Sequence, residues 1–217
     1  MSTRDEMSST PPYSSEDTGD LRERQREDSK ARILAGARDR YMRGQRIELT
    51  ALAAEYGVGR ATAYRWFGDN ERVLAEVLGE RTRKNFLDRF REHTDKSGRD
   101  RVLAVVEGIL RHAANSERLD ALLHREPHRV LKILASSAYD IQRSEIQLLE
   151  TLLTDEHAAG HLPLAAPAHT LAYGIIKLME AYLYADVAAG EPRDIDSAVR
   201  IVALLMAEEP AARNSRP

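Results

Sequence analysis

The 217-residue chain is 42% hydrophobic and 31% charged, enough to bury the core of one large domain or two modest ones and stay soluble. Cysteine is absent, which excludes disulfides, thiolate metal sites and cysteine nucleophiles and agrees with a reducing cytoplasm. The net charge is −3, so any affinity for nucleic acid has to come from charge distribution: Asp20 to Arg72 hold 12 Lys/Arg against 9 Asp/Glu, only a small excess.

Residues 1–19 are rich in Ser, Thr, Pro and acids, lack an apolar leader, and are expected to stay disordered. The charged run Leu21 to Ser29 extends a first helix, in which Ile33, Leu34, Ala37 and Tyr41 share one apolar face and which Gly44 ends. A second helix is expected over Leu49 to Tyr56 and a third over Arg60 to Phe67, with Gly57-Val58-Gly59 as the turn between them. Asp69 or Asn70 caps a fourth helix that carries Leu74, Val77, Leu78, Phe86 and Phe90 to about Arg91. Val102, Val105, Val106 and Ile109 repeat the helical period. Pro127 opens another helix, and a long one follows through Ile141, Leu148, Leu149, Leu152 and Leu153. Two more are expected at about 168–189 and 194–207, ahead of a polar tail at 208–217. Alternating strand patterns and fixed-period repeats are missing, so the fold class is all-α. The longest apolar stretch, Leu171 to Ala189, carries Lys177, Glu180 and Asp186, whereas a membrane span needs roughly 20 largely uncharged residues.

The informative stretch runs from Leu49 to Phe67. Two short helices at a steep angle share a tiny core, which Leu52 and Val58 fill and in which Ala53 lets the helices touch. The turn needs one residue at positive φ, and Gly57 supplies it. On the third helix Ala63, Trp66 and Phe67 point inward, so Arg60, Ala61, Tyr64 and Arg65 face outward. A major groove admits one helix, and the residues nearest its N-terminus reach base edges. Arg60 can donate twice to guanine, Ala61 can touch a thymine methyl, and Tyr64 and Arg65 can reach phosphates or bases. Thr62 and Thr50 are candidate phosphate ligands, and Trp66 either presses on the backbone or fills volume that Ala63 gives up. The competing reading is a helical hairpin in an ordinary core; the outward Arg/Tyr/Arg face favours DNA.

This stretch resembles the TetR-type regulators. Arg32-Ile33-Leu34, Leu52-Ala53, Gly57-Val58, Thr62, Tyr64, Phe67 and Glu71 match that family's pattern over about Lys30 to Leu78. Four positions depart: Gly59 for Ser, Ala63 for Leu, Trp66 for His, and Asn70 for the Lys that contacts phosphate in the family. The resemblance implies a three-helix helix-turn-helix DNA-binding domain over 20–72 and a helical effector-binding and dimerisation domain over 73–207. The stretches Arg125 to Leu131 and Glu180 to Asp186 are similar to those of the quorum-signal-degradation (Qsd-type) regulators. That subgroup implies repression released by a lactone or related metabolite.

Wide apolar coverage of the last two helices points to burial against core and partner together. Leu171, Ile175, Leu178 and Tyr182, with Val199, Val202 and Met206, are the expected homodimer interface. Phe90, Val106, Leu110, Leu131, Tyr139, Tyr173 and Lys177 are the expected lining of an effector pocket, although plain core and a snorkelling lysine are the blander readings. His124 and His128, and His157 and His161, are four apart, but Pro127 and Gly160 interrupt the pairs and no carboxylate cluster completes them, so no metal and no cofactor are expected. The expected partners are an operator DNA duplex, a small-molecule effector and a second copy of the chain. No Ser/His/Asp set or phosphate loop appears, so the chain is not expected to be an enzyme; an all-helical enzyme and a non-sequence-specific DNA scaffold are the alternatives.

Overall fold

A computed structural model describes residues 15–206. The described residues form eleven α-helices and no strand. In chain order they are α1 (Ser15–Met42), α2 (Leu49–Glu55), α3 (Arg60–Phe67), α4 (Asn70–Glu92), α5 (Gly98–Ala114), α6 (Glu117–Arg125), α7 (Pro127–Ala135), α8 (Ile141–Ala158), α9 (Ala168–Leu183), α10 (Ala185–Ala189) and α11 (Ile195–Leu205). A single 3₁₀ turn at Ser137–Tyr139 joins α7 to α8. No helix among the described residues is long and apolar enough to cross a membrane.

The N-terminal unit forms where the sequence predicts it. Ile33 and Ala37 of α1, Leu49, Leu52 and Ala53 of α2, and Ala63 of α3 are buried together. Gly57 takes φ +69°, a conformation that costs a residue with a Cβ about 1–2 kcal/mol. Helix α1 starts at Ser15, inside the segment expected to be disordered. Local ion pairs such as Arg24–Asp20 at 2.7 Å and Lys30–Glu27 at 2.7 Å support that exposed extension. Residues 1–14 of the expected N-terminal tail, and the C-terminal tail at 208–217, lie outside the described residues.

Helix α4 ties the two halves together. It packs on α1 and α3 at its start and on α5, α7 and α8 further along. Asp69 caps it by accepting the Arg72 N–H at 2.8 Å. Its inward face carries Val73, Leu74, Val77, Leu78 and Phe86, and full burial of each such side chain contributes about 1.5–3 kcal/mol. Beyond it, α8 and α9 pack side by side and α11 lies across α5 and α9.

Two elements depart from the sequence reading, and the histidine pair is interrupted at Pro127 as the sequence implies. Helix α6 was missed, although Ser116 caps it through the Leu119 N–H and Leu122 and Leu123 are its buried face. The expected helix over 168–189 is interrupted at Tyr184, which separates α9 from α10. His124 belongs to α6 and His128 to α7, so the i, i+4 pair never shares one helix face.

Candidate functional site

Helix α3 begins without a side-chain cap, because its N-cap residue is Gly59. Its first-turn amides therefore have no side chain bonded across them. Arg60, Ala61 and Arg65 are exposed, and Thr62 and Tyr64 are half-buried. The Arg60 guanidinium stands 5.6 Å from the centre of the Tyr64 ring. The Tyr64 hydroxyl lies 3.3 Å from the Thr50 Oγ1, which joins the start of α2 to the middle of α3. Arg60, Thr50 and Tyr64 thus form one connected polar surface with Ala61 and Arg65 beside it. Trp66 is placed differently. It is half-buried and lines a groove with Leu34, Phe67, Glu76, Tyr139 and Ile141, on the side where α3 meets the helices that follow.

Asn70 replaces the family's lysine with a structural contact. Its Oδ1 accepts the Leu49 N–H at 2.8 Å, so the first residue of α4 caps the first turn of α2. Sequence reasoning saw the loss of a cation here and not the bond gained, because the partner is 21 residues away.

The larger half holds a partly open cavity of about 80 Å³. Leu78, Arg81, Thr82, Asn85 and Phe86 line it from α4, Ile109 and His112 from α5, Leu134 from α7, Glu145 from α8, and Ile176, Met179, Glu180 and Leu183 from α9. Tyr41 and Tyr184 close it from either end of the chain. Burial, with the Glu180 carboxylate beside it, pushes the Glu145 carboxyl up to about 8. Glu145 is half-buried and lines this cavity. Burial also pushes the Tyr184 phenol well above its ordinary range.

None of the seven residues expected to line an effector pocket faces this cavity. Val106 and Leu110 are fully buried core, and Leu131 packs half-buried against it. Phe90 meets Phe86 edge-on, with ring centres 6.3 Å apart. Tyr139 donates its hydroxyl to Glu71 at 2.8 Å. Tyr173 is half-exposed, and Lys177 pairs with Glu180 at 3.2 Å and lies over the Tyr173 ring. The physical reason is common to all seven: helical period identifies an apolar face but not which neighbouring faces stand apart. A signal was available in Glu145, a charged residue at helical spacing from Ile141, Leu148 and Leu149.

The expected dimer face needs a correction as well. Ile175 and Val202 are fully buried within their own chain and Met206 nearly so, because α9 and α11 turn these residues towards α5 and each other. Leu171, Leu178, Tyr182 and Val199 are half-buried at the margin. The apolar residues left outside are Tyr173 at 50% exposure, Leu204 at 73% and Leu205 at 43%.

Asp120, His124 and Asp186 offer ligand atoms within 4.8 Å of one another. Arg193 already sits between the two carboxylates, at 2.7 Å from Asp120 and 2.8 Å from Asp186. The cluster is therefore occupied by an ion-pair network that fastens the α10–α11 connection to α6.

A family model described as tetracyclin repressor-like, C-terminal domain, matches residues 97–207, half of the chain. Among solved structures, the chain is similar to the R. erythropolis transcriptional repressor QsdR from the TetR family, with a TM-score of 0.77 and 26% identity over 83% of this chain and 95% of that one. It shares its fold with the transcriptional regulator FadR from Bacillus subtilis, solved in complex with stearoyl-CoA, at a TM-score of 0.51 and 15% identity over 82% of this chain and 98% of that one. No curated protein matches it. With an N-terminal helix-turn-helix joined by one continuous helix to a matched C-terminal half, the chain belongs to the TetR family and is a ligand-responsive, DNA-binding transcriptional regulator.

Proposed function

We propose that the chain acts as a cytoplasmic homodimeric repressor without catalytic activity, and that α3 reads operator DNA while the cavity beneath α4 takes the effector. The observation that carries the reading is the continuity of α4. One unbroken helix, Asn70–Glu92, packs on the helix-turn-helix at one end and lines the cavity at the other. The division between residues 20–72 and 73–207 falls inside this helix, so the units are coupled by a rigid rod rather than a linker.

Arg60, Ala61, Tyr64 and Arg65 are the base-reading and backbone-contacting set, with Thr50 and Thr62 on phosphate. Trp66 serves the packing of α3 rather than the DNA. Two copies of α3 in a dimer meet half-sites about 34–36 Å apart. The exposed apolar residues of α9 and α11 supply the dimer contact.

An engineered cavity of about 150 Å³ admits benzene, so an 80 Å³ space takes a larger effector only if its walls separate. Movement of α4 away from α8 and α9 would change the spacing of the two recognition helices. The effector shifts the equilibrium only by its differential affinity for the two states.

Gel shift with genomic fragments from around the chain's own gene tests the assignment. Arg60→Ala is expected to weaken operator binding by about five- to 150-fold, the range of a lost bidentate contact at 1–3 kcal/mol, and Tyr64→Ala to weaken it towards the lower end of that range, since one hydroxyl makes one contact. Unchanged binding in both variants would remove α3 from the interface.

A further inference from the structure

The cavity beneath α4 is lined in a way that selects a chemical class of effector. Resting on the regulator reading above, we propose that this cavity takes a small ligand with a protonated amine, which the Glu145 carboxylate receives with help from Tyr184 and Asn85.

The cavity wall holds polar groups without partners. Glu145 makes no hydrogen bond to any described residue. The Asn85 amide nitrogen donates to the Ile109 carbonyl at 3.2 Å, while its Oδ1 is buried in the wall without a partner. Tyr184 is 8% exposed, lines the same cavity, and has no partner for its hydroxyl among the described residues. Buried polar atoms are nearly always paired, and Asn85 Oδ1 is an exception. At neutral pH Glu145 and Tyr184 each carry a proton of their own, so the acceptor left unmatched is Asn85 Oδ1, and Glu145 becomes a second one when it ionises; a ligand that serves both has to donate. A lactone carries carbonyl and ring oxygens and no donor; it would leave Asn85 Oδ1 unmatched. A primary ammonium carries three donors and a charge.

The surrounding charges agree. Glu180 of α9 raises the cost of ionising Glu145, and Lys177 of α9 lowers it. The Lys177 ammonium is committed to Glu180, which also accepts from Gln142 of α8 at 2.7 Å. From α4 the cavity meets Arg81, stacked over Tyr41 of α1 at 5.3 Å, and from α5 it meets the exposed His112. Arg193 acts on Tyr184 and is held by Asp120 and Asp186. Lys177 and Arg193 thus have carboxylate partners and Arg81 an aromatic one, while the Glu145 carboxyl, raised to about 8, holds its proton at neutral pH. On binding an ammonium, Glu145 gives that proton to solvent and accepts from the ligand as a carboxylate.

The sign of the pH dependence separates the two chemistries. An ammonium binds the ionised acid, so its affinity rises about 50-fold from pH 6 to pH 8 for a group titrating near 8. A neutral acceptor such as a lactone binds the protonated acid, and its affinity falls about tenfold from pH 7 to pH 9.

The test is calorimetric titration of the full-length protein with n-butylammonium chloride, 1-butanol and γ-butyrolactone at pH 6, 7, 8 and 9. Binding of the amine alone, tightening with pH, and at least tenfold weaker with a flattened profile in Glu145→Gln, supports the proposal. Tyr184→Phe, which removes only the hydroxyl, is expected to weaken the amine by about threefold to tenfold. Tighter binding of the lactone with affinity falling above pH 8, no binding of the amine, or an amine affinity indifferent to Glu145→Gln would each overturn it. Operator gel shift without any amine is run in parallel: its failure strikes the regulator reading and leaves the calorimetric result on ligand class standing.

Discussion

The Asn70 side chain shows how one substitution trades a contact with DNA for a contact within the protein. A lysine in its place would carry a charge outward; the amide instead caps α2 at 2.8 Å. Asn70→Ala is expected to lower stability by about 1 kcal/mol, the usual cost of a lost N-cap, read as a drop in thermal midpoint. Asn70→Lys is expected to strengthen operator binding in low salt while losing the same stability. A midpoint unmoved in both variants would show that the cap contributes nothing. Gly98 is the other residue that single-site chemistry explains. It is buried at φ +57°, donates its N–H to Glu156 at 2.6 Å, and a Cβ there would run into the His161 carbonyl oxygen. Gly98→Ala is expected to cost about 3 kcal/mol, from the left-handed conformation and the forced displacement together. Urea denaturation measures it, and a midpoint within error of the parent would mean that the 160–162 turn simply gives way.

Glu156 is the buried charge that fastens α8 to α5. Burial alone would raise its carboxyl, but the Gly98 N–H, the Arg101 guanidinium at 2.6 Å and the neighbouring His161 outweigh that and hold it below the ordinary carboxylate range. A carboxyl depressed in the folded state stabilises above its unfolded value near 4.5, and this contribution is lost as pH falls through the lower folded value. The parent is therefore expected to lose stability below about pH 4.5 more steeply than Glu156→Gln, in urea melts from pH 7 to pH 3. Parallel curves would sink the assignment. At the same element scale, the first turn of α4 is clasped from α7 and the 3₁₀ turn. Glu71 accepts from Tyr139 at 2.8 Å and from Lys132 at 3.1 Å, which together hold its carboxyl low. Tyr139→Phe removes one bond from the clasp and is expected to alter how strongly an effector weakens operator binding, with the operator affinity of the free protein less affected. Equal effects on both would make the contact merely structural.

At the scale of the whole molecule, Tyr173, Leu204 and Leu205 stand exposed on α9 and α11, beside the buried faces that Ile175 and Val202 turn inward, and are the proposed contact with a second copy. The double variant Tyr173→Glu with Leu204→Glu is expected to convert a dimer into a folded monomer in sedimentation velocity, and to weaken operator binding by uncoupling the half-sites. A variant that stays dimeric places the interface elsewhere.

Local order and periodicity determined much of this protein from the sequence by itself. The turn at Gly57, the small buried residues Leu52, Ala53 and Ala63, and the exposed face of Arg60, Ala61 and Arg65 depend on neighbours within one or two turns, and so they could be read along the chain. The bounds of α3 and the start of α7 at Pro127 followed from the same local rules. Tertiary packing alone decided the cavity and the outward face of the last helices. Ile175 and Tyr173 both belong to the wide apolar coverage of one helix, yet one is fully buried and the other half-exposed. Asn85, Glu145 and Tyr184 meet from three distant segments. Helical period ranks residues by face, but only the mutual placement of α4, α5, α8 and α9 fixes which faces close on one another and which leave a space between them.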